Sequence, residues 1–159
     1  MMKKLLSACL LSSALLVGCG GSTEDADSEG CEHLQAGPGV AITASTTAGN
    51  APAVSNDHKR YDIALPSGSA GSVSFAASEA ADYVFFLNAD VPLTLTSASG
   101  QAVAFESSAK SSESCTDIKG RHVAPLEVGT YTLTLGPASG TVSLVIEESG
   151  HEHEHEHEH

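Results

Sequence analysis

Tyr131-Thr132-Leu133-Thr134-Leu135 sets a tyrosine and two leucines on one side of an extended chain and two threonines on the other. Successive side chains of a strand point to opposite faces, so this alternation marks a strand with one buried and one solvated face. Working outward, Val142, Leu144 and Ile146 share a face in the run over 141–147, where Val145 softens the contrast. Upstream, shorter runs of the same period predict strands over 39–46, 60–65, 71–77, 82–87, 92–97, 101–105 and 122–124, ahead of 129–135 itself. Ala48-Gly49-Asn50, Pro66-Ser67-Gly68, Ser99-Gly100 and Gly136-Pro137 lie between them, each with turn chemistry. No segment shows a sustained helical stripe, and 107–113 reads as a polar loop. Short strands at this spacing predict an all-β fold, a single β-sandwich or jelly-roll-like domain over 31–148.

The composition agrees. The chain has 159 residues, 4% aromatic and without tryptophan. That is enough for one domain with a core once the ends are set aside. Formal charge is −13, and losing Lys3 and Lys4 with the first eighteen residues takes it to −15. Such a surface repels phosphate backbones, which argues against nucleic acid as a partner, and attracts cations.

Within the body, Glu79-Ala80-Ala81-Asp82-Tyr83-Val84-Phe85-Phe86-Leu87 echoes Glu127-Val128-Gly129-Thr130-Tyr131-Thr132-Leu133-Thr134-Leu135. Each has a turn, a tyrosine, then an apolar strand, and such a tyrosine can pin a sandwich corner through its hydroxyl. Leu126-Glu127-Val128-Gly129-Thr130-Tyr131-Thr132-Leu133 resembles the final strands of bacterial pre-peptidase C-terminal domains. Asp90-Val91-Pro92-Leu93-Thr94-Leu95, followed by Ser99-Gly100, is similar to their central hairpin. The likeness covers roughly residues 60–148 and implies a non-catalytic sandwich module.

The N-terminus reads as an address. Lys3 and Lys4 precede an apolar run from Leu5 to Val17, too short to span a bilayer, which is the pattern of a secretory signal peptide over 1–18. Leu16-Val17-Gly18-Cys19 resembles the lipobox of bacterial lipoproteins. The resemblance implies cleavage before Cys19 and lipidation of that cysteine, with a membrane anchor in the cell envelope. Gly20, where an aspartate often marks inner-membrane retention, leans towards the outer membrane. The acidic stretch over 20–30 is expected to be a disordered tether.

Cys31 and Cys115 remain after processing. Two thiols in an oxidising compartment usually pair, so a disulfide is expected, tying the N-terminal lead to the 107–119 loop. The rival is a thiolate metal site with His33 through Cys31-Glu32-His33.

The chain ends in His151-Glu152-His153-Glu154-His155-Glu156-His157-Glu158-His159. Neutral imidazoles bind Zn²⁺, Ni²⁺ and Cu²⁺, and in an extended tail they would line one edge about 6.6 Å apart. Residues 149–159 are therefore expected to be a disordered tail that binds divalent transition metal labile and with weak selectivity, zinc first, losing it as the rings protonate. Alternating His-Glu is also the pattern of an affinity tag; the intact leader and the odd tail length argue against that. In the body, His33, His58 and His122 sit just before or at the start of predicted strands, and together could form a three-histidine zinc site that the tail feeds.

The chain has no nucleophile elbow and no phosphate-binding loop, so it is not expected to be an enzyme. The expectation is a lipid-anchored envelope protein that buffers a metal ion or delivers it to a transporter or metalloenzyme. The alternative is a structural or adhesive surface module with an incidental tail.

Overall fold

A computed structural model describes residues 23–149; the leader, Cys19 and the tail over 150–159 lie outside the described residues. The chain runs α1 (Thr23–Ala36), β1 (Gly39–Thr43), a short 3₁₀ turn (Ala48–Asn50), β2 (Ala53–Val54), β3 (Arg60–Ala77) and β4 (Ala81–Leu87). It continues through β5 (Leu93–Ser97), β6 (Ala102–Val103), β7 (Ser107–Ala109), β8 (Gly120–Leu126) and β9 (Gly129–Ser149). The described domain is thus all-β apart from one helix.

All nine strands belong to one mixed sheet. Its spine is the antiparallel pair β3–β9, in register from Tyr61↔Leu144 to Ala77↔Gly129. Here the structure corrects the expected strand count. Pro66-Ser67-Gly68 and Gly136-Pro137 do not separate strands; they bend two continuous ones. The register shifts between Leu65 and Gly71, and Gly68, Gly136 and Gly140 adopt positive φ of 70°, 94° and 94°. Glycine reaches that region without a Cβ penalty, so the residues that usually make a turn here fold a long ribbon over.

On either side of the bend the ribbon changes neighbours. One half carries the order β1-β3-β9-β4-β8-β7; the other adds β2 beside β3 and β5-β6 beside β9. The two halves enclose a single core. Ile63, Phe85, Leu144 and Ile146 from one meet Val73, Phe75, Leu95 and Leu133 from the other. The arrangement is sandwich-like, as the alternation in 131–135 predicts. The two echoed tyrosines pin their corners alike: Tyr83 Oη donates to the Glu79 carbonyl at 3.3 Å, and Tyr131 Oη to the Glu127 carbonyl at 2.9 Å.

The second correction is α1, which forms where a linker was expected as far as Gly30. His33 lies in its last turn, and Gly37-Pro38 follows its end. Arg60 Nη1 donates to the Leu34 carbonyl at 3.1 Å, bringing a cation to the helix C-terminus. The helix lies on the outer face of the first half-sheet, where Ala26 and Leu34 pack with Val84, Phe86, Ile118 and Val145. That second layer explains the missing alternation at Val145: from Val142 to Glu147 every residue of β9 is buried, because both faces are covered. A disulfide joins Cys31 of α1 to Cys115, as expected from the two remaining cysteines.

Gly30 makes the close packing feasible. A Cβ there would strike the ring of Phe86, which is wholly buried. Gly30→Ala is therefore expected to cost about 2 kcal/mol by overpacking, although alanine favours an isolated helix by about 1 kcal/mol. Urea denaturation decides the sign, and a stabilised variant would show that α1 does not rest on Phe86.

Candidate metal centre

Four side chains from three separate segments converge beside the C-terminal half of α1. At 3.6 residues per turn, Glu29 and His33 are one turn apart on the same flank of the helix. Cys31 and Asp27 lie on the other flank. There Asp27 is bound by Arg121 Nε and Ser112 Oγ, each at 2.6 Å. Between the flanks, Ala26, Gly30 and Leu34 face the sheet. Glu147 comes up from β9 on the same outer face as Val145 and is almost fully buried, at 2% exposure. His58 comes from the loop before β3.

His33 Nδ1 and Glu147 Oε1 share a hydrogen bond of 2.6 Å. His58 Nδ1 lies 3.1 Å from Glu29 Oε1 and 3.5 Å from Glu147 Oε2. The two imidazoles sit 5.0 Å apart, centroid to centroid. One ligand atom from each of the four residues falls within 4.8 Å of all the others, so Glu29, His33, His58 and Glu147 can hold one metal ion. Beside them a cleft of about 200 Å³ is bounded further by Asn56, Glu79 and Glu148.

Holding His58 there requires an unusual backbone, with φ at 57° in the left-handed region. Such a conformation costs a non-glycine residue of order 1 kcal/mol and persists only where its surroundings fix it. Asp57 fixes this one. Its carboxylate pairs with Lys59, accepts from Ser55 Oγ at 2.6 Å and from Tyr61 Oη at 3.3 Å, and so ties the loop to β3. Burial works to raise the Asp57 pKa, but the Lys59 and Ser55 hydrogen bonds outweigh it and hold the carboxyl below its usual range.

Glu147 is shifted the opposite way. Burial, seconded by the charge of Glu29, raises its pKa against the pull of His33 and His58. With both carboxylates ionised and both imidazoles neutral, the four groups carry two negative charges, one of them deep in the protein. A divalent cation held there would offset both and would take the place of the proton between His33 and Glu147.

Of the three body histidines that could form a joint site, His33 and His58 come together and His122 does not. The reason is strand parity. His122 pairs with Phe85 and Phe85 with Ile146, all in one row, and Phe85 and Ile146 face the inner core. Glu147 occupies the next row and points to the opposite face. His122 instead packs its ring 4.9 Å from Phe105, and its Nδ1 lies 2.9 Å from Ser108 Oγ. Burial lowers its pKa despite the nearby Asp90. Cys31 is in the disulfide, which leaves no thiolate beside His33. His151, His153, His155, His157 and His159, and the proposed anchor Cys19, lie outside the described residues.

Sequence reasoning missed Glu29 and Glu147. The signal for Glu29 is its four-residue spacing from His33, which has meaning only once the segment is known to be helical. The signal for Glu147 is the apolar Val145 two residues earlier: if that face is covered, Glu147 is buried as well.

No family model matches the chain, and no curated protein matches it at a significant level. The likenesses to the lipobox and to pre-peptidase C-terminal domains therefore rest on the quoted residues alone.

Proposed function

We propose that the protein is a lipid-anchored envelope protein that binds one divalent transition metal ion, zinc first, at Glu29, His33, His58 and Glu147. The observation that carries this reading is the meeting of four ligand atoms within 4.8 Å from a helix, a loop and the last strand. Two imidazoles and two carboxylates suit zinc, with nickel and copper as competitors. Four protein ligands can fill a tetrahedral shell, which supports binding over catalysis.

The His-Glu tail begins directly after β9, four residues from Glu147, and acts as a labile collector for the same ion. The leader and Leu16-Val17-Gly18-Cys19 support anchoring at an envelope membrane, with the outer membrane favoured by Gly20. The protein then buffers the ion, or hands it to a transporter or metalloenzyme.

Calorimetric titration with Zn²⁺ tests this, comparing the chain with a form ending at Gly150. The shortened form is expected to keep one site of micromolar affinity or better and to lose the weaker tail sites. Binding no tighter than about 1 mM in both forms would overturn the reading. It would leave a structural or adhesive surface module in its place. In the shortened form, His58→Ala is expected to weaken zinc about 100-fold, because an exposed loop residue can be removed without disturbing the core.

A further inference from the structure

On the other face of the β4–β8 sheet lies a larger cleft, of about 590 Å³, between the two halves of the sandwich. The segment leading into β5 forms one wall, with Val91, Pro92 and Leu93; β7, β8 and the residues before β8 form the other, with Ser108, Lys119 and His122. Its size is that of a small-molecule site, about 300–1,000 Å³.

The charge around this cleft runs against the rest of the chain. The described residues include five lysines and arginines. Lys59, Arg60, Lys110 and Arg121 are each paired with an aspartate. Lys119 is the one without a carboxylate partner among the described residues, and it borders the cleft. The one carboxylate at the rim, Asp90, is held by Lys110 Nζ at 2.8 Å, so the pair is neutral and Lys119 leaves a net positive charge. His122 is partly buried, with Nδ1 committed to Ser108 Oγ, so Nε2 is the ring nitrogen left to meet a ligand. The cleft thus offers one cation, one imidazole nitrogen, a hydroxyl and an apolar wall.

We propose that this cleft is a second, metal-independent binding site, which takes an organic monocarboxylate with an apolar body. The carboxylate lies against Lys119 and His122, and the hydrocarbon part lies along Val91, Pro92 and Leu93. Nucleotides and other polyanions are disfavoured, because Lys119, the one lysine without a carboxylate partner among the described residues, cannot offset several negative charges.

The test is a ¹H–¹⁵N NMR titration of the full chain with sodium hexanoate, with hexylammonium chloride as the control of opposite charge. Saturable shifts confined to residues 90–93, 108–110 and 119–122 are expected with hexanoate and not with the amine. Lys119→Gln is expected to weaken hexanoate about threefold to fivefold, the worth of one solvent-facing charge contact. Lys59→Gln, away from the cleft, should leave it unchanged. Equal shifts with both probes, shifts spread over the Lys59 region, or an unaltered affinity in Lys119→Gln would each overturn the proposal. Sodium dodecanoate separates the two sources of such a ligand. Affinity rising more than about tenfold over hexanoate assigns lipid-derived acids, since each added buried methylene contributes about 0.8 kcal/mol; equal affinity assigns small free acids.

Discussion

Removing the Cys31–Cys115 bridge, by the double substitution Cys31→Ser and Cys115→Ser, is expected to lower the unfolding free energy by about 4 kcal/mol. The bridge closes a loop spanning 84 positions, so the unfolded chain without it gains a large number of conformations. The loss is expected to be uneven. The β3–β9 ribbon has its own core, whereas α1 rests on the sheet through little more than Ala26, Gly30 and Leu34. Apart from that small face, the bridge is joined by polar contacts only: Asp27 with Arg121 and Ser112, Gln35 with Asp117, the Arg60 contact at the helix end, and the His33–Glu147 and Glu29–His58 contacts of the candidate site.

Hydrogen exchange resolves the two parts. Amides of α1 should lose most of their protection in the double variant while those of β4 and β9 keep theirs. The candidate metal centre is expected to feel the same change, because Glu29 and His33 ride on the helix and His58 and Glu147 do not. If the helix is docked only a tenth of the time, the apparent zinc affinity falls about tenfold. By linkage, zinc should restore protection to α1 in that variant. A helix that stays protected without the bridge would show that its own packing suffices.

How far the sequence could be read follows from where its signals were local. Tyr131 to Leu135 alternates over a face that is buried on one side only, so its strand was legible. So were the tyrosine corners, which depend on a turn and a tyrosine four residues later. The continuity of β3 and β9 was hidden because Pro66-Ser67-Gly68 and Gly136-Pro137 have the same chemistry in a bend as in a turn. What separates the two is the partner strand, and that pairing is remote in sequence. The helix was hidden because its buried face is Ala26, Gly30 and Leu34. That stripe is too small and too interrupted by acids to raise a hydrophobic signal. His33 and His58 were identified by residue type alone, and their company by neither spacing nor composition. His122 was placed with them for want of parity, which a strand boundary over 120–126 would have supplied.

Glu147 makes the metal reading and the stability of the protein depend on each other. Its pKa is raised above the ordinary 4.5, first by burial and then by Glu29. A raised carboxyl pKa means that the unfolded chain gives up this proton at lower pH than the folded one. The group's contribution to stability is therefore complete below about pH 4 and declines as pH rises through the folded value. Once ionised in the metal-free protein, Glu147 is thus expected to cost stability. Glu147→Gln keeps the shape and a hydrogen bond to His33, and removes the buried charge. Without metal, the variant is expected to be at least as stable as the parent at pH 7, and to lack the decline expected of the parent as pH rises above about 4. With zinc the order reverses. An ion at about 100 times its dissociation constant adds about 2.7 kcal/mol to the parent. The variant, lacking a buried ligand, should bind zinc at least about 100-fold more weakly and gain little. Thermal denaturation at pH 4.5 and 7, with and without Zn²⁺, measures all four corners. A variant that is much less stable than the parent without metal, yet binds zinc equally well, would reduce Glu147 to a structural partner of His33. A carboxylate that destabilises the empty fold and stabilises the loaded one is the behaviour expected of a ligand.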